Sequence, residues 1–230
     1  IQDSLVGSEM CIRDRFAKQF TSPAEEPENT ILISTNEAQQ EIIRVYEKYD
    51  WPLDIGVRTV GEEYNASVLE RDLLASRYRL EGFQLPDIQR LAQTRFVDTE
   101  NRDFLTEVTN EVMALDPYFR AVVDSMDFFV QREDPSRVIS MMRMLQAHTQ
   151  MVRGLLLVTI SSDGLPPGLR QEVAGIADMV LEFKVRTIGT DFETSMTVTK
   201  FRNAPENLRI LVFRVTPEEC ITPETVERIA

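Results

Sequence analysis

The chain has 230 residues and a formal net charge of −13, and 43% of its residues are hydrophobic. This length allows one domain with a large buried core, and the acidic balance disfavours broad binding to nucleic-acid phosphates. The longest apolar runs, such as Leu155–Ile160, are far shorter than the roughly 20 residues that span a bilayer. We therefore expect a soluble protein with no membrane segment.

Cysteine and histidine are scarce. Cys11 and Cys220 lie far apart and form no metal-binding motif, and the single histidine, His148, excludes a His-rich metal site. We expect no disulfide, which is typical of the reducing cytoplasm.

The first residues do not read as part of the domain. Ser4–Arg15 is SLVGSEMCIRDR, which resembles a peptide produced when sequencing-adapter DNA is translated into the start of a protein sequence. We interpret residues 1–15 as a non-native artefact and residues 16–230 as the domain, with the native chain cut off just before Phe16. An ordinary native N-terminus is the alternative. The charged residues in the segment exclude a secretion signal.

The first predicted elements alternate between helix and strand. Phe16–Phe20 reads as the end of a helix, and the β-branched run Thr30–Ser34 predicts a buried strand. Asn36 with Gln39 predicts a capping box for a helix that ends before Trp51 and carries an apolar stripe of Ile42, Ile43 and Tyr46. Ile55–Val60 predicts a second strand.

The middle of the chain contains the clearest helix and strand pair. Asn65–Thr94 fits one or two short helices, and Phe96–Val97 a short strand. Apolar residues at helical spacing predict an amphipathic helix from Phe104 to Leu115, ended by Pro117. The apolar strand Arg120–Asp124 follows.

The second half begins with a methionine-rich helix, Val138–Val152, and the strand Leu155–Ile160. We expect its apolar side chains to fill the core, namely Met141, Met142, Met144, Leu145 and Met151. His148 in this helix is expected to be a packed or partly exposed helix residue and not a catalytic base. A rigid loop over Gly164–Gly168 leads to three strands, Met179–Val185, Thr194–Phe201 and Arg209–Val215.

Together these elements predict an α/β fold. Alternating strands and helices indicate a mostly parallel sheet with helices on both faces. The closing strands, joined by short loops, indicate antiparallel strands at the C-terminal edge of that sheet.

Asp124 is the first candidate site residue. A carboxylate at the carboxyl end of a central parallel strand lies where α/β sheets bind ligands. In P-loop ATPases such an aspartate holds the magnesium ion that bridges the nucleotide phosphates. Four apolar residues and an aspartate are a weak pattern alone, and an aspartate that simply ends a strand in a turn is the alternative.

Several segments, in order, resemble the KaiC-like branch of the RecA superfamily of P-loop ATPases. These are ILISTNEAQQEII with DWPLD, FLTEVTNEVMALDPYFRAVVDS, LLLVTISS, IADMVLEF, MTVTKFRN and ILVFRVTPEECI. The resemblance runs from Phe16 to the end. It implies that Asp124 holds Mg²⁺, that Ser125 contacts the nucleotide, and that Glu37 activates the attacking water. This family often has two adjacent glutamates where this chain has Asn36–Glu37, so hydrolysis is expected to be slow. A helix-terminal acid is the alternative role of Glu37.

The resemblance also implies that Lys200 and Arg202, which alternate on one strand, reach the phosphates of a nucleotide held by a neighbouring subunit. The expected assembly is then a homo-oligomeric ring or filament. Exposed basic side chains that protect an edge strand are the alternative. Thr159, Ser161 and Ser162 could sense the γ-phosphate or simply form a turn.

One motif of the family is absent. No G-x-x-x-x-G-K-[ST] occurs in the chain, and the predicted artefact lies where this Walker A segment belongs. The resemblance implies a regulatory ATPase of archaeal-type signal transduction that uses ATP and Mg²⁺ and acts on an unidentified protein partner. Without the Walker A segment, the chain as given is expected to be inactive. A non-catalytic interaction module is the alternative. A recombinase paralogue is a weaker alternative. Recombinases bind single-stranded DNA in a basic groove, and the loops Gln131–Arg137 and Ser161–Glu172 are not rich in basic residues.

Overall fold

A computed structural model describes residues 2–22, 29–68, 102–161, 165–188, 191–216 and 220–223. The helices are α1 Gln2–Thr21, α2 Gln39–Lys48, α3 over residues 60–68, α4 Phe104–Met113, α5 Asp127–Val130, α6 Pro135–Val152 and α7 Pro167–Ile176. The strands are β1 Thr30–Ser34, β2 Gly56–Thr59, β3 Arg120–Asp124, β4 Leu155–Val158, β5 Met179–Ile188, β6 Asp191–Phe201, β7 Ile210–Thr216 and β8 Cys220–Pro223. No helix within these ranges has the length and apolarity needed to cross a membrane.

Strands β1 to β4 form a parallel sheet in the order β2-β1-β3-β4. The central strands β1 and β3 have the predicted bounds, because each is a short apolar run buried along almost its whole length. Ser34 pairs with Asp124, and Val123 pairs with Val158. The carboxyl ends of β1, β3 and β4 therefore meet at one edge of the sheet.

Successive residues of the central strands enter two separate cores, as the alternation of side chains across a sheet requires. Leu32 and Val122 pack with Ala17 of α1 and with Ile42 and Tyr46 of α2. Their sequence neighbours, such as Ile33 and Val123, lie in a second core with α4 and α6. Helices cover both faces, so the predicted α/β class with a parallel sheet is confirmed.

Strands β5 to β8 form a second, antiparallel sheet in the order β5-β6-β7-β8. We expected antiparallel strands as an extension of the parallel sheet. Instead, among the described residues, β4 pairs only with β3, and β5 pairs only with β6. Consecutive strands joined by short turns pair most readily with one another, which accounts for the separate sheet. Helix α1 packs against both β3 and β5.

Helix α6 begins at Pro135, capped by the Asp134 side chain, three residues before its predicted start. Met141, Met142 and Leu145 are buried as predicted. Met144 and Met151 were expected in the core but are 47% and 77% exposed. They lie on a different side of the helix, because only one stripe of an amphipathic helix can face the core.

Three local predictions differ from the structure. Helix α5 was not predicted. Helix α7 begins within the segment that was predicted to be a loop, Ser161–Glu172, because Pro166 and Pro167 favour the first turn of a helix. The capping box at Asn36 is wrong, because α2 begins only at Gln39 and the Ala38 N–H donates to the Glu41 carboxylate (3.3 Å). Residues 65–68 are helical, but the rest of the region predicted over Asn65–Val97 lies outside the described residues.

Gly154 occupies a close contact between α6 and β4. A Cβ atom at this position would lie 2.4 Å from Cε1 of Phe119. Phe119 is 1% exposed and stacks on the buried His148, with ring centroids 5.7 Å apart. The N–H of Leu155 donates to the Phe119 carbonyl at 2.8 Å, so β4 begins to pair with β3 directly after this glycine.

Candidate functional site

Asp124 lies at the centre of the edge where the parallel strands end. Its carboxylate is buried and accepts a hydrogen bond from the Thr159 hydroxyl, just beyond β4. Its carbonyl accepts the Thr35 N–H, just beyond β1, at 2.7 Å. The predicted metal residue is therefore fixed by the ends of both neighbouring strands.

Ser125 is fully buried and joins the ends of β1 and β3. Its N–H donates to the Thr35 hydroxyl (2.9 Å), which donates in turn to the Ser125 carbonyl (3.0 Å). The Ser125 hydroxyl accepts a hydrogen bond from the Asn36 amide at 3.2 Å. The Asp124–Ser125 peptide bond is cis. The structure thus places the predicted nucleotide-binding hydroxyl beside Asp124, at the same strand ends.

Glu37 lies in the turn that follows β1. Its N–H donates to the Ser34 hydroxyl at 3.1 Å, and its carboxylate forms an ion pair with the ammonium group of Lys18 in α1. The Lys18 side chain is only 3% exposed. Glu37 precedes α2, which begins at Gln39, so the alternative that places Glu37 in the first turn of that helix is wrong.

A second carboxylate, Asp127, lies at the first residue of α5. Its two oxygens accept the Ser161 N–H at 2.9 and 3.2 Å. The Arg13 guanidinium forms an ion pair with Asp127 (3.3 Å from Nη1 to Oδ2) and lies 3.8 Å from Asp124 (Nε to Oδ1). The Arg13 Nη1 also donates to the Ser161 hydroxyl at 3.2 Å.

Sequence reasoning did not select Arg13, Lys18 or Asp127. The spacing of Asp127, three residues after Asp124 on the turn that leaves a strand, was the available indication for that carboxylate. Lys18 could have been noticed as a cation among apolar residues of α1. The role of Arg13 depends on the packing of α1 against β3, which no local pattern indicates.

Asp14 brings a further carboxyl group into this cluster. The pKa of Asp14 is raised from its ordinary value of 3.8 to about 6, mainly by burial and next by the charge of Asp124. The cations of Arg13 and Lys18 oppose this rise, while the Glu37 carboxylate adds to it. The pKa of Asp14 therefore depends on the charges of both predicted functional carboxylates, Asp124 and Glu37.

Lys200 lies on β6 and Arg202 lies in the turn that directly follows it, both away from the contacts made by Asp124. The Lys200 ammonium donates to the carbonyls of Ala174 and Gly175 (2.7 and 2.9 Å), at the end of α7. Arg202 donates to the Ile176 carbonyl at 3.0 Å and pairs with Asp178. Cations at a helix C-terminus are stabilising. The alternative of an exposed edge strand is wrong, because β6 lies between β5 and β7.

A cleft of about 390 Å³ opens beside the strand ends. Its lining residues are Thr35, Asn36, Gly61, Tyr64, Asn65, Asp127, Phe128, Gln131 and Arg132. Gly61 is required there, because a Cβ atom would lie 2.0 Å from the Thr35 carbonyl oxygen. The Arg132 guanidinium lies over the rings of Tyr64 and Phe128, 4.7 and 4.2 Å from their centroids.

A sequence model for a family of unknown function, DUF7125, matches residues 70–216, more than half of the chain. The chain belongs to the DUF7125 family. The DUF7125 match includes Asp124, Asp127, Lys200 and Arg202, whereas Glu37 precedes it. A search of curated proteins finds no match.

The fold of this DUF7125 chain is similar to two solved structures. Flagellar accessory protein FlaH from Methanocaldococcus jannaschii is 17% identical, with a TM-score of 0.62 over 95% of this chain and 84% of that chain. KaiC-like protein PH0186 from Pyrococcus horikoshii OT3 is 15% identical, with a TM-score of 0.58 over 93% and 84%. At these identities the likeness establishes the fold alone. It confirms the KaiC-like, RecA-type resemblance at that level.

The oxygen atoms near Asp124 fit a magnesium ion better than a transition metal. Among the residues that the structure describes, no three His, Cys, Asp or Glu side chains group together as a metal site. Magnesium keeps several waters and needs only one or two carboxylates together with substrate phosphates. The Asp124 carboxylate and the Thr159 and Ser125 hydroxyls fit that chemistry, since imidazole and thiolate ligands select other metals.

Proposed function

We propose that the native protein is an ATP-binding and ATP-hydrolysing regulatory protein of the KaiC-like type. In this proposal the native sequence upstream of Phe16 supplies the phosphate-binding loop. The observation that carries the proposal is the position of α1, which brings residue 13 beside Asp124.

Helix α1 runs antiparallel to β3. Near its C-terminal end, the carbonyls of Phe20 and Ser22 accept hydrogen bonds from Arg120, the first residue of β3 (3.0 and 3.2 Å). Arg13, earlier in the helix, lies beside Asp124, the last residue of β3. A Gly-rich loop directly upstream of Phe16 would therefore present its backbone N–H groups beside Asp124, as phosphate binding at a helix N-terminus requires.

In this proposal a further strand pairs with β4, whose strand neighbour among the described residues is β3. Strand β4 is the apolar run LLLV, and Leu155 is 54% exposed. Among the described residues no strand pairs with the other edge of β4, and an uncharged open edge is a liability in a folded protein. A parallel strand beside β4 would bury this edge, and its carboxyl end would lead into the loop that faces Asp124.

The proposed chemistry assigns one task to each residue. ATP and Mg²⁺, when bound, supply the transferable phosphoryl group and neutralise charge that develops on it. Asp124, oriented by the Thr159 hydroxyl, holds the ion. Glu37 orients the attacking water, and the Lys18 ammonium fixes the Glu37 carboxylate at the end of β1. Ser125 contacts the nucleotide, and its N–H keeps the ends of β1 and β3 together.

We also propose that Lys200 and Arg202 act across a subunit boundary in a homo-oligomeric ring or filament, beside an unidentified regulatory partner. Arg202 has a side chain 40% exposed on the surface of the second sheet. To reach a nucleotide on a neighbouring subunit, both cations must exchange carbonyls of α7 for phosphate oxygens. Charged phosphate oxygens form stronger hydrogen bonds with these cations than neutral carbonyls do, and Arg202 would also have to leave its ion pair with Asp178.

The test is to express the protein with its native N-terminus and to measure ATP binding and turnover. We expect Mg²⁺-dependent ATP binding and slow hydrolysis that Glu37→Gln abolishes, with binding retained. Glu41→Gln, on the exposed surface of α2, is the matched control and should leave turnover unchanged. A native chain that contains G-x-x-x-x-G-K-[ST] and still binds no ATP would disprove the proposal.

The second candidate is a non-catalytic interaction module of the same fold. Two observations favour it. Glu37 has Asn36 as its neighbour where the family often has a second glutamate, and its carboxylate is engaged by Lys18. Tight ATP binding without hydrolysis, unchanged by Glu37→Gln, would support this function over the first.

A further inference from the structure

The cleft of about 390 Å³ beside the strand ends has no task in the proposed hydrolysis. The exposed Arg132 of its lining lies next to three exposed side-chain amides, those of Asn36, Asn65 and Gln131. We propose that this cleft binds an acidic peptide segment of the regulatory partner, with a carboxylate of the peptide on Arg132. The inference deepens the proposed function, on which it rests for the existence of a partner, because it names the chemistry of that partner.

The Arg132 guanidinium is held in the cleft by two aromatic rings. It lies 4.7 Å from the ring centroid of Tyr64 and 4.2 Å from that of Phe128. The two rings meet edge to face, with their centroids 5.3 Å apart. A cation over an aromatic face is attracted by the negative charge of that face. The Arg132 side chain is therefore oriented before a ligand arrives, which lowers the entropy cost of binding.

Arg132 has no anionic partner in the part of the chain that the structure describes. Of the five N–H donors of a guanidinium, one is used, by the Phe128 carbonyl at 3.2 Å. The nearby carboxylates have other cations. Asp127 pairs with Arg13, and Glu133 pairs with Arg137. The remaining donors of Arg132 therefore point to an external acceptor, and a carboxylate matches the planar guanidinium with two parallel hydrogen bonds.

The side-chain amides of the cleft favour a peptide as the carrier of that carboxylate. A primary amide has both N–H donors and a carbonyl acceptor, so it can pair with the C=O and the N–H groups of a peptide backbone. The amides of Asn65 and Gln131 form no hydrogen bond with any described residue, so both are available to a ligand. An inorganic phosphate ion offers mainly acceptor oxygens and would leave the amide carbonyls unmatched.

The net charge of −13 opposes an acidic ligand at long range but not in the cleft itself. At physiological ionic strength, salt screens charges over about 8 Å. Within that distance the described lining of the cleft has one cation, Arg132, and one carboxylate, Asp127, which Arg13 neutralises. Short-range contacts with Arg132 therefore decide the affinity for a carboxylate.

The experiment titrates the 230-residue chain, without nucleotide, with two capped tripeptides, acetyl-Ala-Glu-Ala-amide and acetyl-Ala-Gln-Ala-amide. Binding is followed by the side-chain amide signals in ¹H–¹⁵N NMR spectra. The glutamate peptide should bind about tenfold more tightly than the glutamine peptide, because its carboxylate forms charge-assisted hydrogen bonds with Arg132. It should also shift the amide signals of Asn65 and Gln131.

Substitutions at exposed arginines assign the preference to the cleft. Arg132→Gln should bind both peptides equally, because glutamine carries no charge. Arg132→Lys keeps the charge without the planar pair of donors and should retain only part of the preference. Arg143→Gln removes an arginine of α6 that is 67% exposed and does not line the cleft. It is the matched control and should keep the tenfold preference.

Three results would overturn the inference. The parent chain shows no preference for the glutamate peptide, or the preference survives in Arg132→Gln. The third is that inorganic phosphate binds more tightly than the glutamate peptide, which would assign the cleft to a phosphate ligand. None of these results depends on ATP binding by the native protein, so a failure here is distinguishable from a failure of the proposed function.

Discussion

Asp14 should destabilise the folded chain at neutral pH, so Asp14→Asn should be a stabilising substitution. Burial, together with the charge of Asp124, raises the pKa of this carboxyl group from 3.8 to about 6. The unfolded chain keeps the ordinary pKa, so between about pH 4 and pH 6 the folded state binds the additional proton. The stability contributed by protonated Asp14 is complete below about pH 4 and is lost as the pH rises through about 6.

The magnitude follows from the size of the pKa change. A rise of about 2.2 units corresponds to about 3 kcal/mol, at about 1.4 kcal/mol per unit. Because the side chain is 24% exposed, this value is an upper bound. Asp14→Asn should therefore raise the free energy of unfolding by about 1 to 3 kcal/mol at pH 7.5, and by less than about 1 kcal/mol at pH 4.

Urea unfolding of both chains at pH 4 and at pH 7.5 measures this difference. Effects of titrating groups far from Asp14 cancel when the variant is compared with the parent at the same pH. Asp116→Asn, which removes an exposed carboxylate, should show no pH-dependent difference. The reasoning is refuted if Asp14→Asn gives the same change at both pH values, or no stabilisation at pH 7.5.

Two further predictions concern stability near the strand ends. Glu37→Ala should cost about 3 kcal/mol in urea unfolding, because it leaves the buried Lys18 ammonium unpaired. Lys18→Met should lower the free energy of unfolding by less than Glu37→Ala does, because the remaining Glu37 carboxylate reaches solvent. A larger loss of stability for Lys18→Met would contradict this reasoning. Gly61→Ala should lower the free energy of unfolding by about 2 kcal/mol, because its Cβ atom would clash with the Thr35 carbonyl. Gly168→Ala, with no atom within 4 Å of the new Cβ, is its control and should unfold at the parent's urea concentration or slightly above.

The sequence predicted the parts of the site that depend on strand ends. Thr30–Ser34 and Arg120–Asp124 are apolar runs with polar boundaries, and both strands were found with these bounds. Asp124 was expected at the ligand-binding edge of the sheet and Thr159 at the end of the next strand, but the hydrogen bond between them was not predicted. Glu37 was correctly placed after the first strand, although its relation to α2 was not.

The remaining contacts depend on packing between distant segments. The ion pair of Lys18 with Glu37 requires α1 to lie across the sheet, which periodicity does not predict. Lys200 and Arg202 were predicted to share one strand, but β6 ends at Phe201, so only Lys200 lies on it. Their carbonyl partners were unpredictable because the helix that supplies them, α7, starts in a segment rich in proline and glycine that reads as a loop.

Gly154 has a consequence for how β4 can evolve. A one-residue slip of a strand exchanges its two faces, so a shifted β4 would turn the Thr159 hydroxyl away from Asp124. The contact of Gly154 with Phe119 fixes where β4 starts, since any side chain there must displace a buried ring. Gly154, at the start of β4, thus sets the register in which β4 pairs with β3, and so fixes the position of Thr159 at the other end of the strand. Insertions or deletions between α6 and β4 should therefore be tolerated much less than substitutions at Thr159 itself.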